Sequence, residues 1–123
     1  MTIQEVLTRI DNLKPNQYKI TQKIAWISDI DGVIYKEIIK THVNEEDNEF
    51  VGYDDTTDLS TELLACEPYS ELYVYYLMAQ IDFCNGEYTR YNNTSALFNQ
   101  AYQNYVNYYN RTHRSNGVHR MEV

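Results

Sequence analysis

Apolar residues recur every third or fourth position along most of the chain, which is the period of an α-helix packed on one face. The first stripe consists of Ile3, Val6, Leu7 and Ile10. Thr2 and Glu5 have the spacing of a capping box, in which each side chain accepts a hydrogen bond from the other residue's amide. Pro15 disfavours a helical conformation at the residue before it. The pattern therefore predicts a first helix from about Ile3 to Leu13.

A second stripe predicts one amphipathic helix over residues 19 to 40. It consists of Ile20, Ile24, Ile27, Ile34 and Ile38. Gly32 lies inside this helix, where glycine costs about 1 kcal/mol relative to alanine. The turn between the two helices is short, so we expect them to pack as an antiparallel hairpin.

The second helix contains the string Asp29-Ile30-Asp31-Gly32, which matches the D-x-D-G nucleophile motif of haloacid-dehalogenase-type phosphatases. That chemistry also requires Mg²⁺, further carboxylates and a cation on the transferring oxygens, all held on a parallel sheet. A chain of 123 residues is short for such a sheet, and the isoleucine spacing is helical. We therefore interpret Asp29 and Asp31 as surface residues and expect no catalytic activity.

Two further stripes predict a third and a fourth helix. Pro68 suits the first position of the third helix, and the Asn-Gly pair at 85–86 is typical of a helix C-terminus. The apolar residues of the third helix are Leu72, Tyr73, Tyr76, Leu77, Ile81 and Cys84. A short turn of helix is expected at 87–91, and an asparagine at 92–93 is expected to cap the fourth helix, which ends by Arg111.

Residues 42 to 67 lose this periodicity and form a long acidic stretch. Leu63, Leu64 and Ala65 are expected to anchor its end on the core. Its clustered acids, which could suggest calcium binding, are Asp54, Asp55, Asp58 and Glu62. The ligand spacing of an EF-hand is absent, so we predict a solvated or partner-facing loop and no metal or cofactor. Loops of this length are usually functional or ordered by a neighbour.

Together these patterns predict an all-α fold, a small bundle of about four helices with a long acidic loop between helices two and three. The length suits one domain. Its parts are a helical hairpin at 1–41, the acidic loop at 42–67, a second hairpin at 68–111 and a tail at 112–123. We find no run of eighteen apolar residues and no charged-then-apolar leader, so we expect neither a membrane span nor secretion.

Charge is distributed unevenly along the chain, whose formal net charge is −8. Residues 41–89 hold twelve acids and no Lys or Arg, whereas residues 90–123 hold four Arg and one Glu. An acidic chain repels DNA phosphates, which argues against a conventional DNA-binding protein. The 13 tyrosines suit either a protein interface or a core whose hydroxyls reach water. Cys66 and Cys84 lack the neighbours of a zinc site and are expected to be reduced thiols.

Three segments carry a more specific pattern. They are P-Y-x-E-L-Y at Pro68–Tyr73, N-G-E-Y-x-R-Y-N-N at Asn85–Asn93 and Y-Y-N-R-T-H at Tyr108–His113. With these segments the chain resembles the head-tail connector, or adaptor, proteins that tailed bacteriophages and prophages encode beside their capsid genes. The resemblance covers nearly the whole chain. It implies a non-catalytic helical subunit of a ring, commonly of twelve copies, beneath the portal protein at the capsid vertex of the virion. Such a ring extends the DNA channel and receives a stopper or another tail-completion protein.

The resemblance also implies where partners bind, because the C-terminal segment of such connectors commonly engages the portal. Tyr and Arg are enriched at interface hot spots. The expected portal or subunit contacts are Tyr102, Tyr105, Tyr109, Arg111, His113 and Arg114. Basic residues there also complement the helix dipole without any partner, so both interpretations stay open. The acidic loop is expected to be mobile in the free chain. Its expected contacts with a neighbouring subunit are Phe50, Tyr53, Asp54 and Asp55.

A second hypothesis rests on the acidic stretch alone. In this alternative the chain is a regulatory or inhibitory binding module that mimics nucleic acid and occupies a basic site on a host protein. The two hypotheses differ in gene neighbourhood: a connector gene lies among capsid and tail genes, whereas a regulatory mimic usually lies in an early or lysogeny region.

Overall fold

The computed structural model describes residues 1–39 and 50–113, and these residues form four α-helices without a β-strand. The helices are α1 (Ile3–Leu13), α2 (Ile20–Ile34), α3 (Glu71–Cys84) and α4 (Tyr88–Thr112). The prediction of an all-α bundle with about four helices is confirmed. Residues 42–49 of the predicted acidic loop lie outside the described residues.

α1 has the predicted bounds and the predicted cap. Thr2 Oγ1 accepts from the amide of Glu5 at 3.1 Å, and Glu5 Oε1 accepts from the amide of Thr2 at 2.8 Å. The bond from the Thr2 amide is the main reason why the pKa of Glu5 is lowered. The helix ends at Leu13, directly before the Lys14-Pro15 pair.

α2 is followed at once by a π-helix, Tyr35–Ile39, so that residues 20–39 of the helix predicted at 19–40 are helical. The wider π turn still places an isoleucine on the core, because Ile38 is buried like those before it. The buried isoleucines of this stretch are Ile24, Ile27, Ile30, Ile34 and Ile38. Ile20 is the exception to the predicted stripe, since it is 51% exposed.

Residues 50–70, which we call the strap, contain no helix and pack along the bundle. Their carbonyl groups complete the cap of α1. The amides of Ile3 and Gln4 donate to the carbonyl oxygens of Thr61 and Leu59 at 3.1 and 2.9 Å. The strap therefore satisfies two of the backbone donors that a helix N-terminus leaves without partners.

The strap is also anchored on the core by side chains and by one close backbone approach. Leu63 and Ala65 are buried, which confirms the predicted anchor. Gly52 has a φ of +89°, and a Cβ at this position would lie 3.1 Å from Ser28 Oγ. The same Ser28 Oγ accepts from the amide of Tyr53 at 3.0 Å. Glycine is required here by its backbone conformation and by the contact with α2.

α3 lies at the centre of the bundle and contacts α1, α2 and α4. Its buried apolar side chains are Leu72, Tyr73, Val74, Leu77, Ala79 and Ile81. α4 packs along α3, yet only Thr94, Tyr105 and Tyr109 of its 25 residues are buried. Most of the α4 surface is therefore left outside the bundle.

The start of α3 differs from the prediction, because Pro68 precedes the helix and Glu71 begins it. Pro68 lies in a turn in which the amide of Tyr69 donates to the carbonyl oxygen of Cys66 at 2.8 Å. This turn directs the Tyr69 ring onto Tyr108 of α4, with 4.7 Å between ring centroids. α3 thus begins three residues later than predicted, and the turn before it contacts Tyr108, which is distant in sequence.

α4 begins at Tyr88, before the predicted cap at 92–93. Phe83 of α3 packs against Tyr88 and Tyr91 at 5.9 and 5.3 Å, which holds the first turn of α4 on the bundle. The Asn85-Gly86 pair does end α3 as predicted, with Gly86 at a φ of +76°. Cys84, predicted on the apolar stripe of α3, is instead exposed.

Candidate interaction surfaces

The two aspartates of the D-x-D-G string occupy different environments. Asp29 is exposed, as predicted, but Asp31 is fully buried, so the prediction of a surface position for Asp31 is wrong. Residues two apart on an α-helix point about 200° apart, at 3.6 residues per turn. The two carboxylates therefore face different sides of α2 and do not share the space that a phosphatase pair requires.

The carboxylate of Asp31 joins α2, α3 and the strap through three donors. It accepts from the hydroxyls of Tyr53 at 2.7 Å and Tyr73 at 2.5 Å, and from the amide of Leu64 at 3.2 Å. The Tyr73 hydroxyl in turn accepts from the amide of Ala65 at 2.7 Å. We call these residues the Asp31 network.

The Asp31 network contains hydroxyl and amide donors but no cation. Burial raises the pKa of Asp31, and the three hydrogen bonds oppose that shift without cancelling it. Burial, together with the neighbouring carboxylate, raises the pKa of Tyr53 and of Tyr73 far above the usual tyrosine range. The two phenols therefore stay protonated and remain donors to Asp31 throughout the acid and neutral range.

A second buried carboxylate, Asp82 on α3, lies in the region where α1 ends and α4 begins. The Lys14 ammonium lies 2.8 Å from Asp82 Oδ1, outside hydrogen-bond geometry, so charge attraction holds this contact. The Thr94 hydroxyl donates to Asp82 Oδ2 at 3.1 Å. Nearby, the Tyr18 hydroxyl donates to Asn85 Oδ1 at 2.7 Å. This bond joins the turn between α1 and α2 to the turn between α3 and α4. Sequence patterns alone did not indicate these pairings, because their partners are distant along the chain.

The side chains predicted to bind a partner at the end of α4 divide into core and surface. Tyr105 and Tyr109 are 1% and 7% exposed and belong to the core. Tyr102 is half-buried, and its hydroxyl donates to Glu37 at 2.9 Å. His113 stacks on Tyr109 with 3.7 Å between ring centroids, whereas Arg111 is exposed. Arg114 lies outside the described residues.

An aromatic cluster forms where the C-terminal end of α4 meets the strap. Tyr69 and Tyr108 stack on each other, and both lie near Tyr105, at 6.1 and 6.2 Å. The Cys66 thiol lies 3.7 Å from the Tyr108 hydroxyl. The cluster comprises Cys66, Tyr69, Tyr105, Tyr108, Tyr109 and His113. It brings together the P-Y-x-E-L-Y and Y-Y-N-R-T-H segments, beside the exposed Arg111.

The four strap residues predicted to meet a neighbouring subunit also divide between the two environments. Phe50 packs edge-on against Tyr53 at 5.1 Å, and Tyr53 belongs to the Asp31 network. Asp54 and Asp55 are exposed. Phe50 and Tyr53 are thus engaged within the chain, and the two aspartates face outward.

Two of the exposed strap acids are held by local turns. Asp54 Oδ1 accepts from the hydroxyl and amide of Thr56, and Asp58 Oδ1 accepts from the amide and hydroxyl of Ser60. These bonds lower the pKa of both carboxyl groups. Both acids are therefore ionised at neutral pH, and the second oxygen of each has no hydrogen bond within residues 1–39 and 50–113.

The outer face of α4 contrasts with the acidic strap. Its exposed residues include Asn93, Ala96, Gln100, Gln103, Asn104 and Asn107. α4 contains no acidic residue over Tyr88–Thr112, and its two charged side chains are Arg90 and Arg111. Since α4 contributes +2 to a net charge of −8, the other 98 residues sum to −10. This helix is therefore the one without a carboxylate in an otherwise acidic protein.

The part of the chain that the structure describes contains neither a metal-binding group nor a membrane-spanning helix. No three His, Cys, Asp or Glu side chains within residues 1–39 and 50–113 are placed to hold a metal ion. In the same residues no helix has the length and apolar character needed to cross a bilayer. In comparisons with protein families, curated proteins and solved structures, nothing matches this chain.

Proposed function

We propose that this chain is a head-tail connector of a tailed bacteriophage or prophage, a non-catalytic ring subunit that binds beneath the portal protein. In this proposal neighbouring copies form the ring, commonly of twelve. DNA passes through the central channel without specific binding, and the far side of the ring receives a stopper or tail-completion protein. The protein would then be located at the capsid vertex of the virion.

One observation carries the proposal. Two of the three segments on which the resemblance rests, Pro68–Tyr73 and Tyr108–His113, are far apart in sequence yet meet in the aromatic cluster. Half-buried tyrosines beside an exposed arginine have the composition of an interface hot spot. This arrangement supports a docking role for Arg111 and the rim of the cluster.

The acidity of the chain is compatible with a DNA channel. A wall that presents carboxylates does not bind phosphates, so DNA slides along it rather than adhering. Asp54, Asp55 and Asp58 are exposed and supply such carboxylates. The proposal does not require DNA to contact any particular residue.

Binding to the portal protein encoded in the same genome tests the proposal. We expect wild-type chain to bind the portal ring and the R111E variant to bind about 30-fold more weakly, the loss of about 2 kcal/mol typical of a hot-spot arginine. R90E is the matched control, because Arg90 is an exposed arginine near the opposite end of α4. Equal binding by R111E and R90E, or no portal binding by wild type, would contradict the proposal.

The acidic binding module remains a second candidate, favoured by the fixed and ionised carboxylates of Asp54 and Asp58. Such a module would bind a basic host protein and be displaced by competing DNA. A gene located among capsid and tail genes, together with portal binding, would decide against it.

A further inference from the structure

We propose that the outer face of α4 is the surface on which one copy of the chain receives the acidic strap of the next copy. The inference rests on the proposed ring and names the two surfaces that meet within it. It starts from the exposed stripe Asn93 to Asn107, which neither the core nor the aromatic cluster uses.

The composition of this stripe is unusual for an exposed helix in an acidic protein. Exposed helix faces normally carry charged and polar residues, but here the exposed side chains are mostly Asn and Gln, with Ala96 and Leu97 among them, and α4 holds no acid. Asn and Gln amides provide two N–H donors each, and carboxylates provide only acceptors when ionised. Gln103 also donates to Asn107 at 3.0 Å, which orients both side chains along the face.

The strap supplies the complementary chemistry on a different part of the same chain. Asp54, Asp55 and Asp58 are exposed, and the local turns of Asp54 and Asp58 leave one oxygen of each outside those turns. The strap meets α4 at Cys66 and Tyr69, in the aromatic cluster. Its acidic residues instead lie between Tyr53, which is bonded to α2, and Leu59, which is bonded to the first turn of α1. One copy can therefore present its α4 face and these acids to two different neighbours.

Charge decides between the two ways in which two copies could use this face. Pairing α4 with α4 brings two neutral stripes together and places no acid beside Arg111, while Arg90 already has Glu87 of its own chain 3.6 Å away. Pairing α4 with the strap places carboxylates beside a helix of net charge +2. The second arrangement is heterologous, and only a heterologous contact closes a ring of more than two subunits.

The contact is expected to be weak between free copies. The stripe from Asn93 to Asn107 is about 21 Å long at 1.5 Å per residue, and one helix is about 10 Å wide. This area is well below the roughly 800 Å² per partner of a stable complex. Ring closure or binding to the portal is therefore needed to stabilise the contact. Between free copies the contact is short-lived, so an experiment must trap it covalently.

Disulfide trapping provides that test. In a full-length chain whose exposed Cys66 and Cys84 are changed to serine, one preparation carries Q103C and the other carries D55C. When the two are mixed under mild oxidation at low salt, we expect the 103–55 dimer to exceed either homodimer about tenfold, equivalent to 1.4 kcal/mol. In 1 M salt, where the Debye length is about 3 Å, the excess should disappear.

Two variants at one position separate charge from shape. N107E, added to the Q103C chain, should reduce the 103–55 dimer severalfold, whereas N107K should retain or increase it. Dominant 103–103 dimers, random pairing, or equal effects of N107E and N107K would overturn the inference. Trapping without portal binding would leave this contact standing and reject the connector proposal. Portal-bound rings that N107E leaves intact would reject only this inference.

Discussion

The two buried carboxylates of the bundle are stabilised in opposite ways. Asp31 accepts three hydrogen bonds from neutral donors and has no cation beside it within the described residues. Asp82 is paired with the ammonium group of Lys14 and with one hydroxyl. Both side chains are fully buried. Burial alone therefore does not determine how a carboxylate responds to mutation, because the charge of its partners also matters.

The largest effect is expected from K14M. This change removes the cation and leaves Asp82 buried with one hydroxyl donor, and stranding one partner of a buried ion pair costs about 3 kcal/mol or more. The free energy of unfolding in urea measures the loss. K19M is the control, because Lys19 is exposed and has no ion pair among those found in the described residues. A loss for K14M no larger than for K19M would show that the ion pair is dispensable.

D31N should produce the next largest loss. An amide of the same shape offers one acceptor oxygen in place of two, so at least one buried donor loses its partner, at a cost of about 2 kcal/mol near pH 5. D29N is the matched control on the same helix and should change stability by less than about 0.5 kcal/mol, as exposed substitutions do. Equal stability of the two variants would mean that the Asp31 network contributes nothing.

The difference between wild type and D31N should depend on pH. Because burial raises the pKa of Asp31 in the folded state, the folded chain holds this proton more tightly than the unfolded chain. The stability that Asp31 contributes is therefore fully present below its unfolded-state pKa of about 3.9. It is lost as the pH rises through the pKa of Asp31 in the folded state. Asp54 and Asp58, whose pKa values are lowered, act in the opposite direction but equally in both proteins. In urea unfolding of both proteins, the difference between their free energies of unfolding should become smaller as the pH rises from 3 to 8. A difference that grows over this range would show that folding does not raise the pKa of Asp31.

The smallest effects are expected from removing single hydroxyl donors: Y53F removes one from the Asp31 network, and T94V removes the one that donates to Asp82. Each should cost about 1 kcal/mol. Hydrogen exchange should locate the two losses differently: Y53F should speed exchange in the strap, and T94V should speed exchange near the start of α4. If both variants speed hydrogen exchange at the same residues, the surroundings of Asp31 and of Asp82 are not independent.

The helices were predictable because their signals are local. The α1 stripe and capping box, the α2 isoleucines and the Asn-Gly end of α3 each depend on neighbours within about one turn, so the residue spacing is sufficient. The starts of α3 and α4 were not predictable in this way, because each depends on a contact between side chains of different elements. Tyr69, before α3, packs on Tyr108, and Phe83 of α3 packs on Tyr88 at the start of α4. Those contacts exist only once the chain has folded.

The polar interior was predicted least well. By residue type alone Asp31 belongs to the exposed face of the helix, and nothing near it in sequence shows that hydroxyls from Tyr53 and Tyr73 reach it. The tyrosines were equally ambiguous, because an amphipathic ring fits either a core or an interface. Tyr105 and Tyr109 proved to be core residues, and the amide-rich face of α4 was not singled out because it carries no charged residue between Asn93 and Asn107.

The cap that the strap supplies to α1 has a consequence for the order of events during synthesis. The amides of Ile3 and Gln4 find their acceptors at Thr61 and Leu59, nearly sixty residues later in the chain. At translation rates of about 5–20 residues per second, those acceptors follow α1 out of the ribosome after roughly 3–12 s. Of the four helices α1 is made first, but the amides of its N-terminal turn stay bonded to water until the strap has been translated.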